Sequence, residues 1–523
     1  MRTCEIIVES AILMELSAGT KAKAIIELTE ALQNSGRLTK KEEALSSLIA
    51  REKRGTTGIG SGIAIPHACT QAVHQSMIAI GRSKSGIDFD APDGRQVNLI
   101  FLLLGPTTAT SLHLKILARF SRLLSVDGFT ESLLSVESKA DFLITFKDHE
   151  DILGEIEPSE DLPSVCVAGA GNGGLAMAAH LALLGCRVNL FNRSPERLSS
   201  IQTNRGINVT GELNGFAKLN LITTDPREAL ERVDMVMVAI PATGHRTMAH
   251  LLGPYLSDGQ IVVLNPGRTG GALEFNEVLR QIGVNTYPFI AEAETLLYAC
   301  RITNPGQVRI FSIKNSIPVA TIPAYHIPDV LSSIRKILPQ FVPGDNVLST
   351  SLSNVGSVFH PALAILNTAW IEERHGDFDF YHEGASPSVA KVLEEVDAER
   401  VAVAAALGIK VATAREWLYL AYGAAGNNLY DAIQANTGYS GIRAPNTLEH
   451  RYITEEVPMS LVPIASLGDQ LGVPVFTIKS IIHLANVLHG RDYWAEGRTM
   501  KHLGLEGLSV QKIRKLVEEG RLT

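Results

Sequence analysis

The sequence lacks the segments that would place it in or across a membrane. It has no run of about 18 apolar residues, the length a bilayer-spanning helix requires, and no apolar stretch follows Met1-Arg2-Thr3-Cys4-Glu5 as in a signal peptide. Its five cysteines are scattered, without the CxxC spacing of a metal site or a redox pair. We therefore expect a cytoplasmic protein with reduced thiols and no membrane insertion.

An excess of basic charge is also absent. The 47 Lys and Arg residues are outnumbered by 55 Asp and Glu, and the net charge of -8 offers no overall field for nucleic acid. The composition is that of an ordinary globular protein, but 523 residues are too many for one hydrophobic core. We therefore expect two or three domains and no nucleic-acid partner.

The clearest boundary lies at residues 151–163, which contain five acidic residues and two prolines without any periodicity. Such a composition predicts a linker. It separates a first domain at 1–150 from a longer region in which strands and helices alternate between 164 and 345. That alternation predicts a doubly wound parallel sheet, and the helical patterns that follow predict an all-helical domain at 346–523.

Within the first domain, short apolar runs predict buried strands at 77–81 and 97–104. Helical spacing predicts helices at 20–34, 40–53 and 111–124. The first domain is therefore expected to combine a sheet with flanking helices.

A glycine-rich segment ends in one histidine: Gly58-Ile59-Gly60-Ser61-Gly62-Ile63-Ala64-Ile65-Pro66-His67. Glycines allow backbone N–H groups to approach an anion, and a histidine nitrogen held there can accept a phosphoryl group. Such a site also needs cations or donors to balance the phosphoryl charge. Arg51 on the preceding helix and His113 at the start of a later one are the candidates.

This combination of Arg51-Glu52, the 56–67 segment and His113-Leu114 resembles the enzyme IIA domain, fructose/mannitol type, of the sugar phosphotransferase system. The likeness spans about residues 5–148. It implies a mixed sheet with flanking helices, phosphorylation of His67 with the assistance of His113 and Arg51, and a phosphocarrier protein as partner. The alternative is a domain that keeps this shape and serves only as an interaction module.

A second glycine motif begins after the linker. Gly169, Gly171, Asn172 and Gly174 follow the apolar run at 165–168 and lead into a helical segment at 175–184. In a dinucleotide site the first glycine permits the turn, the second admits the pyrophosphate and the third packs helix against strand. We therefore predict that these four residues bind a nicotinamide cofactor.

The residues after the second strand indicate which cofactor is preferred. An acidic residue there usually binds the ribose 2′-OH of NAD, whereas this chain has Asn192 followed by Arg193. An amide beside a guanidinium suits a 2′-phosphate better. The sequence favours NADP(H), with NAD(H) as the alternative.

Two segments of the C-terminal half contain candidate catalytic groups. His360 precedes Pro361, which can start a helix at its first position. The polar loop at 450–458 contains Arg451, a candidate carboxylate ligand. The cluster at 375–382 has metal-capable residue types but no metal-binding spacing, so we predict no metal site.

These segments, together with Asn265-Pro266-Gly267, Thr269-Gly270-Gly271 and the 294–301 region, resemble the octopine/nopaline (opine) dehydrogenase family over about residues 164–495. The family condenses a 2-oxo acid with an amino group reductively. The resemblance implies His360 as catalytic acid/base and Arg451 as substrate ligand, with Asn265 and Thr269 near the nicotinamide or the oxo acid. The family's dyad aspartate is replaced here by Glu456, whose extra methylene the loop has to absorb.

The leading hypothesis is an NAD(P)-dependent opine-dehydrogenase-like oxidoreductase with a fused, regulatory phosphohistidine domain. Two alternatives stay open. One is a phosphocarrier whose dehydrogenase-like part senses nucleotide. The other is a reductase of a 2-oxo or hydroxy acid from the same fold group. A homo-oligomer is possible in each case.

Overall fold

The computed structural model describes residues 3–53, 55–107, 116, 120, 123, 128–152, 159 and 161–520. The chain divides into two compact units, Met1–Ile156 and Glu157–Thr523. The division falls inside the segment predicted as a linker, most of which lies outside the described residues. The predicted helix at 111–124, including His113, also lies almost wholly outside them.

The first unit contains one strand, two helices, five further strands and two further helices among its described elements. Its described elements are β1 (Ile7–Leu13), α1 (Lys21–Asn34), α2 (Lys41–Glu52), β2 (Gly58–Gly60), β3 (Ile63–Ala64), β4 (His67–Thr70), β5 (Met77–Ile87), β6 (Val97–Pro106), α3 (Phe129–Ser135) and α4 (Lys139–Ile152).

The strands of the first unit form a mixed sheet in the order β1-β5-β6-β3-β2, with β4 also paired to β6. β5 runs antiparallel to β6, whereas β3 and β4 run parallel to it. Successive side chains of β6 enter two different cores, because strand side chains alternate between faces. Phe101 packs with other phenylalanines on one face, and Leu102 packs on the opposite one. This two-sided core confirms the predicted sheet between helices.

The second unit begins with the cofactor-type fold. Its elements up to the last strand are β7 (Val165–Ala168), α5 (Asn172–Leu183), β8 (Val188–Phe191), α6 (Ser199–Asn204), β9 (Gly206–Gly211), β10 (Gly215–Lys218), β11 (Leu221–Thr223), α7 (Pro226–Leu230), β12 (Met235–Val238), α8 (His245–Leu252), β13 (Ile261–Leu264), α9 (Gly271–Gln281), β14 (Phe289–Ala293), β15 (Tyr298–Asn304), β16 (Gln307–Ile313), β17 (Ile317–Ile322), α10 (Ile327–Ile334) and β18 (Phe341–Pro343).

The main sheet of this unit has the order β11-β8-β7-β12-β13-β14-β17-β18, and the strands from β11 to β14 are parallel. Each of β7, β8, β12 and β13 is buried along its whole length, as expected where helices cover both faces of a parallel sheet. The doubly wound fold predicted from the alternation is confirmed. A second sheet, in the order β10-β9-β16-β15, was not predicted.

The rest of the unit is helical. It contains α11 (Val347–Leu352), α12 (Gly356–Leu366), α13 (Thr368–Arg374), α14 (Pro387–Ala406), α15 (Ala414–Tyr422), α16 (Leu429–Ala435), α17 (Arg451–Thr454), a π-helical turn (Val457–Leu461), α18 (Val462–Leu471), α19 (Phe476–His489), α20 (Tyr493–Glu496) and α21 (Val510–Glu519). None of the helices in the described part of the chain is long and apolar enough to cross a bilayer.

One prediction about a helix start was wrong. Pro361 does not begin a helix, because α12 already starts at Gly356 and Pro361 lies inside it. A proline lacks one backbone N–H and therefore removes one intrahelical hydrogen bond. His360 consequently lies on the second turn of a helix rather than in front of one.

Candidate functional site

Both ring nitrogens of His67, the predicted phosphoryl acceptor, are hydrogen-bonded. His67 opens β4, and its Nδ1 lies 2.8 Å from the carbonyl oxygen of Ile65, to which it can only donate. Its Nε2 accepts a hydrogen bond of 3.2 Å from Nε of Arg51, at the end of α2. Burial lowers the pKa of His67, and the charge of Arg51 lowers it further against the opposing effect of the Ile65 carbonyl. The ring is therefore neutral, with the lone pair on Nε2.

Glu52 holds the glycine-rich segment against the end of α2. Its carboxylate accepts hydrogen bonds from the backbone N–H of Thr57 at 3.1 Å and from the Thr57 hydroxyl at 2.6 Å. Lys21 lies 3.2 Å from the same carboxylate. Through these contacts, Glu52 fixes the end of α2, where Arg51 lies, against the segment that leads to His67. His113, the third predicted member of the site, lies outside the described residues.

The glycine turn of the second unit has the shape of a dinucleotide cradle. Gly169 has a φ of +126°, and a Cβ there would lie 2.5 Å from the Ala239 carbonyl oxygen. A Cβ on Gly174 would lie 1.8 Å from the Gly169 carbonyl oxygen, so helix and strand meet closely. At Gly171 a Cβ would meet no described atom within 4 Å. Space therefore remains at the glycine beside which the pyrophosphate is expected.

The neighbouring side chains have separate tasks. Asn172 is the first residue of α5, and its Oδ1 accepts a hydrogen bond from the backbone N–H of Ile302 on β15. Asn192 accepts from Ala170 N–H at 3.1 Å and donates to the Ser194 carbonyl at 2.9 Å. Both amides thus hold backbone in place. Arg193 is exposed at the end of β8.

The structure brings His360 and Glu456 together. Nδ1 of His360 lies 2.9 Å from Oε1 of Glu456, and Ser460 donates to Oε2 of the same carboxylate at 2.9 Å. Burial would raise the pKa of Glu456, but Arg268, His360 and Ser460 outweigh it and hold the pKa at about 2. The carboxylate is therefore ionised and orients the imidazole.

The longer side chain of Glu456 is accommodated at a change in helix type. α17 ends at Thr454, and the five-residue π-helical turn begins immediately after Glu456. Such wide turns are frequent at functional sites. Glu456 itself is only 1% exposed and contacts three polar side chains, so its extra methylene is absorbed without loss of the contact with His360.

Sequence reasoning missed Arg268, which is central to this arrangement. Its Nη1 lies 2.8 Å from Oε1 of Glu456, and its Nε lies 3.5 Å from Oε1 of Glu455. Nη1 also lies 3.4 Å from Oδ1 of Asn354. The residue adopts a φ of +58°, unusual for a side chain larger than glycine, in the loop after β13. Its place between two segments noted in the sequence was the only available signal.

Two tyrosines enclose His360. Tyr452 stacks on the imidazole with ring centroids 4.2 Å apart and planes 12° apart. The Tyr381 hydroxyl lies 3.2 Å from Nε2 of His360, and its ring stacks on Tyr439 at 3.9 Å. Nδ1 is therefore engaged by Glu456, and Nε2 faces the Tyr381 hydroxyl.

The other predicted substrate residues are held by contacts outside the dyad. Arg451 is largely exposed, with its Nε 3.3 Å from Oε2 of Glu455. Thr269 is buried, and its hydroxyl donates to the Ser351 carbonyl at 3.2 Å. Asn265 is buried at the end of β13, where its Nδ2 donates to the Val263 carbonyl and its Oδ1 has no described partner.

Glu294 and Lys314 form a second pair of titratable groups, and each lies directly after a strand. Glu294 comes directly after β14, and burial raises its pKa to about 7. Burial lowers the pKa of Lys314 to about 8, and its ammonium donates to the Thr295 hydroxyl at 2.7 Å. Within the described ranges, no group of three or more His, Cys, Asp or Glu side chains is arranged to hold a metal ion.

Comparison with protein families agrees with this division of the chain. The family of phosphoenolpyruvate-dependent sugar phosphotransferase system EIIA 2 domains matches residues 5–149. The N-terminal domain of NAD-dependent glycerol-3-phosphate dehydrogenase matches residues 164–274, and the alpha-helical domain of NAD/NADP octopine/nopaline dehydrogenase matches residues 343–489.

Individual relatives extend the match. The opine dehydrogenase of Arthrobacter sp. (strain 1C) is 40% identical over 353 residues, covering 67% of this chain and 98% of that protein. The fructose-specific EIIA component of Haloferax volcanii is 39% identical over 143 residues, covering 27% of this chain and 88% of that protein. An octopine dehydrogenase structure shares the fold with a TM-score of 0.58 at 21% identity, covering 69% of this chain and 98% of that one.

The chain therefore belongs to the opine dehydrogenase family, with a sugar phosphotransferase EIIA domain fused in front of the dehydrogenase. This confirms the predicted fusion and the predicted class, an NAD(P)-dependent oxidoreductase that acts on CH–NH donors.

Proposed function

We propose that the second unit joins a 2-oxo acid to an amino acid or amine and reduces the product to an N-(carboxyalkyl)amino compound, with the His360–Glu456 dyad as its acid/base. The observation that carries this proposal is the 2.9 Å contact between Nδ1 of His360 and the buried carboxylate of Glu456. A buried carboxylate on one nitrogen fixes the tautomer, so that the other nitrogen handles the substrate proton.

The proton transfers follow from this geometry. Nε2 of His360 takes a proton from the substrate ammonium, which frees the nitrogen to attack the oxo carbon. After the attack, one further proton passes from the substrate nitrogen to the former carbonyl oxygen. Nε2 of His360 then returns its proton to that oxygen, which leaves as water while the C=N bond of a protonated imine forms. Glu456 stabilises the imidazolium between these two steps and stays ionised. Arg451 pairs with a substrate carboxylate in this scheme.

The glycine turn holds the cofactor. Gly169, Gly171 and Gly174 form the cradle, and the start of α5 offers N–H donors to the phosphates. When bound, the nicotinamide supplies the hydride that reduces the imine carbon. Exposed Arg193 pairs with a 2′-phosphate, so we propose NADP(H) as the preferred cofactor and NAD(H) as the weaker one. Asn192 shapes this end of the cradle through its two backbone contacts, and Asn172 does so at the first turn of α5.

The direct experiment mixes the purified protein with NADPH and with pools of 2-oxo acids and amino acids. We expect oxidation of NADPH only when both pools are present, together with a new secondary amine in the mass spectrum. Oxidation with the 2-oxo acids alone would instead identify a plain reductase. Inactivity across broad pools would contradict the proposed activity.

We propose that the first unit accepts a phosphoryl group on Nε2 of His67 from a phosphocarrier protein. Nδ1 is engaged by the Ile65 carbonyl, and the Arg51 guanidinium, 3.2 Å from Nε2, is placed to balance the incoming negative charge. The general phosphotransferase proteins and labelled phosphoenolpyruvate test this. A wild-type protein that stays unlabelled would reduce the first unit to an interaction module.

The fusion itself suggests regulation. A phosphoryl group adds up to about two negative charges to the first unit, and such a change can alter how a neighbouring domain behaves. We propose that phosphorylation of His67 changes the dehydrogenase rate. Dehydrogenase assays before and after phosphorylation test the coupling, and equal rates would contradict it.

The domain boundaries and the cellular compartment are also proposed, and the oligomeric state is left to measurement. The domain boundaries are proposed as 1–150, 164–345 and 346–523, with 151–163 as linker. We propose the cytoplasm as the working compartment, because the expected partner is a phosphocarrier protein of the phosphotransferase system. Whether the protein forms a homo-oligomer is answered by light scattering of the purified chain.

A further inference from the structure

Arg498, beyond α20, is completely buried and uses its whole hydrogen-bonding capacity on the cofactor-type fold. Its Nε donates to Glu274 at 2.7 Å, and its Nη1 donates to the carbonyl oxygens of Gly267 and Thr269 at 3.0 and 3.2 Å. Its Nη2 donates to the Ala242 carbonyl at 3.2 Å and to Nδ1 of His245 at 2.8 Å. These contacts match the five N–H donors that a guanidinium has.

Two of these acceptors flank Arg268. The carbonyls of Gly267 and Thr269 belong to the residues immediately before and after it, so Arg498 holds the short segment in which Arg268 has its positive φ. The Arg268 side chain then reaches Oε1 of Glu456 at 2.8 Å. Arg498 thereby acts one step behind a contact of the proposed dyad.

The backbone of Arg498 is anchored on the other side of the same site. Its N–H donates to the carbonyl of Pro458, two residues after Glu456, at 3.0 Å. The preceding Gly497 has no room for a side chain, because a Cβ there would lie 2.8 Å from that carbonyl oxygen and 2.7 Å from a side-chain carbon of Val462. A closed ring of contacts therefore runs from Arg498 through the 267–269 loop, Arg268 and Glu456 back to Arg498.

We propose that Arg498 is a positioning residue for the proposed dehydrogenase: it holds Arg268 against Glu456 and so ties the helical part to the cofactor-type fold at the catalytic dyad. This inference rests on the proposed function of the dyad. No contact of Arg498 is with His360 or Glu456 themselves, so its effect is transmitted by the loop.

A simple buried ion pair with Glu274 does not account for these contacts. Glu274 is already paired with Arg246, whose Nη2 lies 2.8 Å from Oε1. Four of the five acceptors of Arg498 are not Glu274. The side chain is therefore placed for the backbone carbonyls of the loop as much as for the carboxylate.

The test compares Arg498→Lys with Arg246→Met in the full-length protein. Lysine keeps the charge but has a point-like ammonium with three donors, which cannot span the same acceptors. Arg246→Met removes the other partner of Glu274 without touching the loop. We expect Arg498→Lys to lower kcat/KM by about 100-fold, mostly through kcat, because small misplacements near a reacting centre have effects of this size. Arg246→Met is expected to leave kcat/KM within about twofold, because Arg246 is partly exposed and such pairs contribute little.

A pH profile separates positioning from simple loss of structure. The charged and titratable groups facing the dyad are Arg268, Glu455, Tyr452, Tyr381, His450, Arg451 and Arg301. If the Arg268 cation moves away from Glu456, the His360–Glu456 dyad binds a proton more readily. The midpoint of the part of the pH–rate profile that reports protonation of the dyad then moves to higher pH by about one unit. Arg268→Gln should produce the same shift, and adding Arg498→Lys to that variant should produce no further one.

A readout independent of turnover completes the test. The imidazole signal of His360 in nuclear magnetic resonance spectra is assigned by its absence in His360→Gln, and its titration midpoint is followed in each variant. A midpoint that moves in Arg498→Lys while the wild type has no dehydrogenase activity would refute the proposed function and keep the positioning role. An unmoved midpoint, or equal shifts with Arg246→Met, would overturn the positioning role. Arg498→Met serves if the lysine variant does not fold.

Discussion

The two histidine sites of this chain differ in what each ring nitrogen contacts. In both, Nδ1 contacts an acceptor of the protein, and Nε2 is the nitrogen proposed to react. At His67 the Nδ1 partner is a neutral backbone carbonyl and Nε2 faces the Arg51 guanidinium, whereas at His360 the partner is a buried carboxylate and Nε2 faces a tyrosine hydroxyl.

These partners suit opposite tasks. Burial and the nearby Arg51 cation favour a neutral ring at His67, which is what a nucleophile needs. A carboxylate favours the imidazolium, which an acid/base must form and discharge. Histidine is therefore proposed for two different chemistries because the partners of its ring nitrogens differ between the two sites. Substitutions of the histidines and of Glu456 test this contrast.

The largest effect is expected at His67. His67→Ala removes the accepting nitrogen, so labelling by phosphoenolpyruvate and the general phosphotransferase proteins should be lost entirely. The exposed His74 in the same unit is the matched control, and His74→Ala should label like the wild type. Residual labelling of His67→Ala would place the accepting nitrogen elsewhere.

His360→Gln should lower kcat by about 10³-fold, within the range associated with general acid–base catalysis. His483 is exposed on α19 of the same unit, and His483→Gln should keep the wild-type rate. Steady-state assays with NADPH provide the measurement. A loss smaller than tenfold would mean that another group moves the proton.

Glu456 offers a graded test of the same dyad. Glu456→Gln removes the charge and should lower kcat by about 100-fold, whereas Glu456→Asp keeps the charge and should lose about tenfold, because effects of acid–base groups span this range. Equal rates for the aspartate variant and the wild type would show that the extra methylene has no consequence.

The same residue predicts a pH dependence of stability. The pKa of Glu456 is lowered to about 2, so its ionised form contributes stability that is present above its ordinary pKa and is lost as the pH falls towards 2. Urea midpoints measured from about pH 6 to about pH 2.5 should therefore fall more for the wild type than for Glu456→Gln. Parallel curves would mean that the carboxylate is not held ionised by its partners.

The smallest effect is expected at the cofactor end. Arg193→Ala should lower the preference for NADPH over NADH by about tenfold, the size expected for one charged hydrogen bond. Arg197→Ala, an exposed arginine four residues on, is the control. An unchanged cofactor ratio would show that Arg193 faces solvent.

The sequence predicted the sheet of the first unit, the main parallel sheet of the second unit, the helical region and the family, because these depend on periodicity and on short motifs. It also named His360 and Glu456, although only the resemblance connected them. Arg268 and Arg498 were missed because their contacts join segments far apart along the chain. The start of α12 was misplaced because Pro361 was interpreted as a first helical residue, whereas it lies inside the helix, where proline is usually disfavoured.

The contact between Asn172 and Ile302 has a consequence for protein engineering. The first side chain of the cofactor helix is bonded to an edge strand of the smaller sheet, which belongs to a different part of the sequence. A glycine turn transplanted from another enzyme would therefore arrive without its brace unless β15 were transplanted with it. In this unit, the glycine turn and β15 would therefore have to be transferred together.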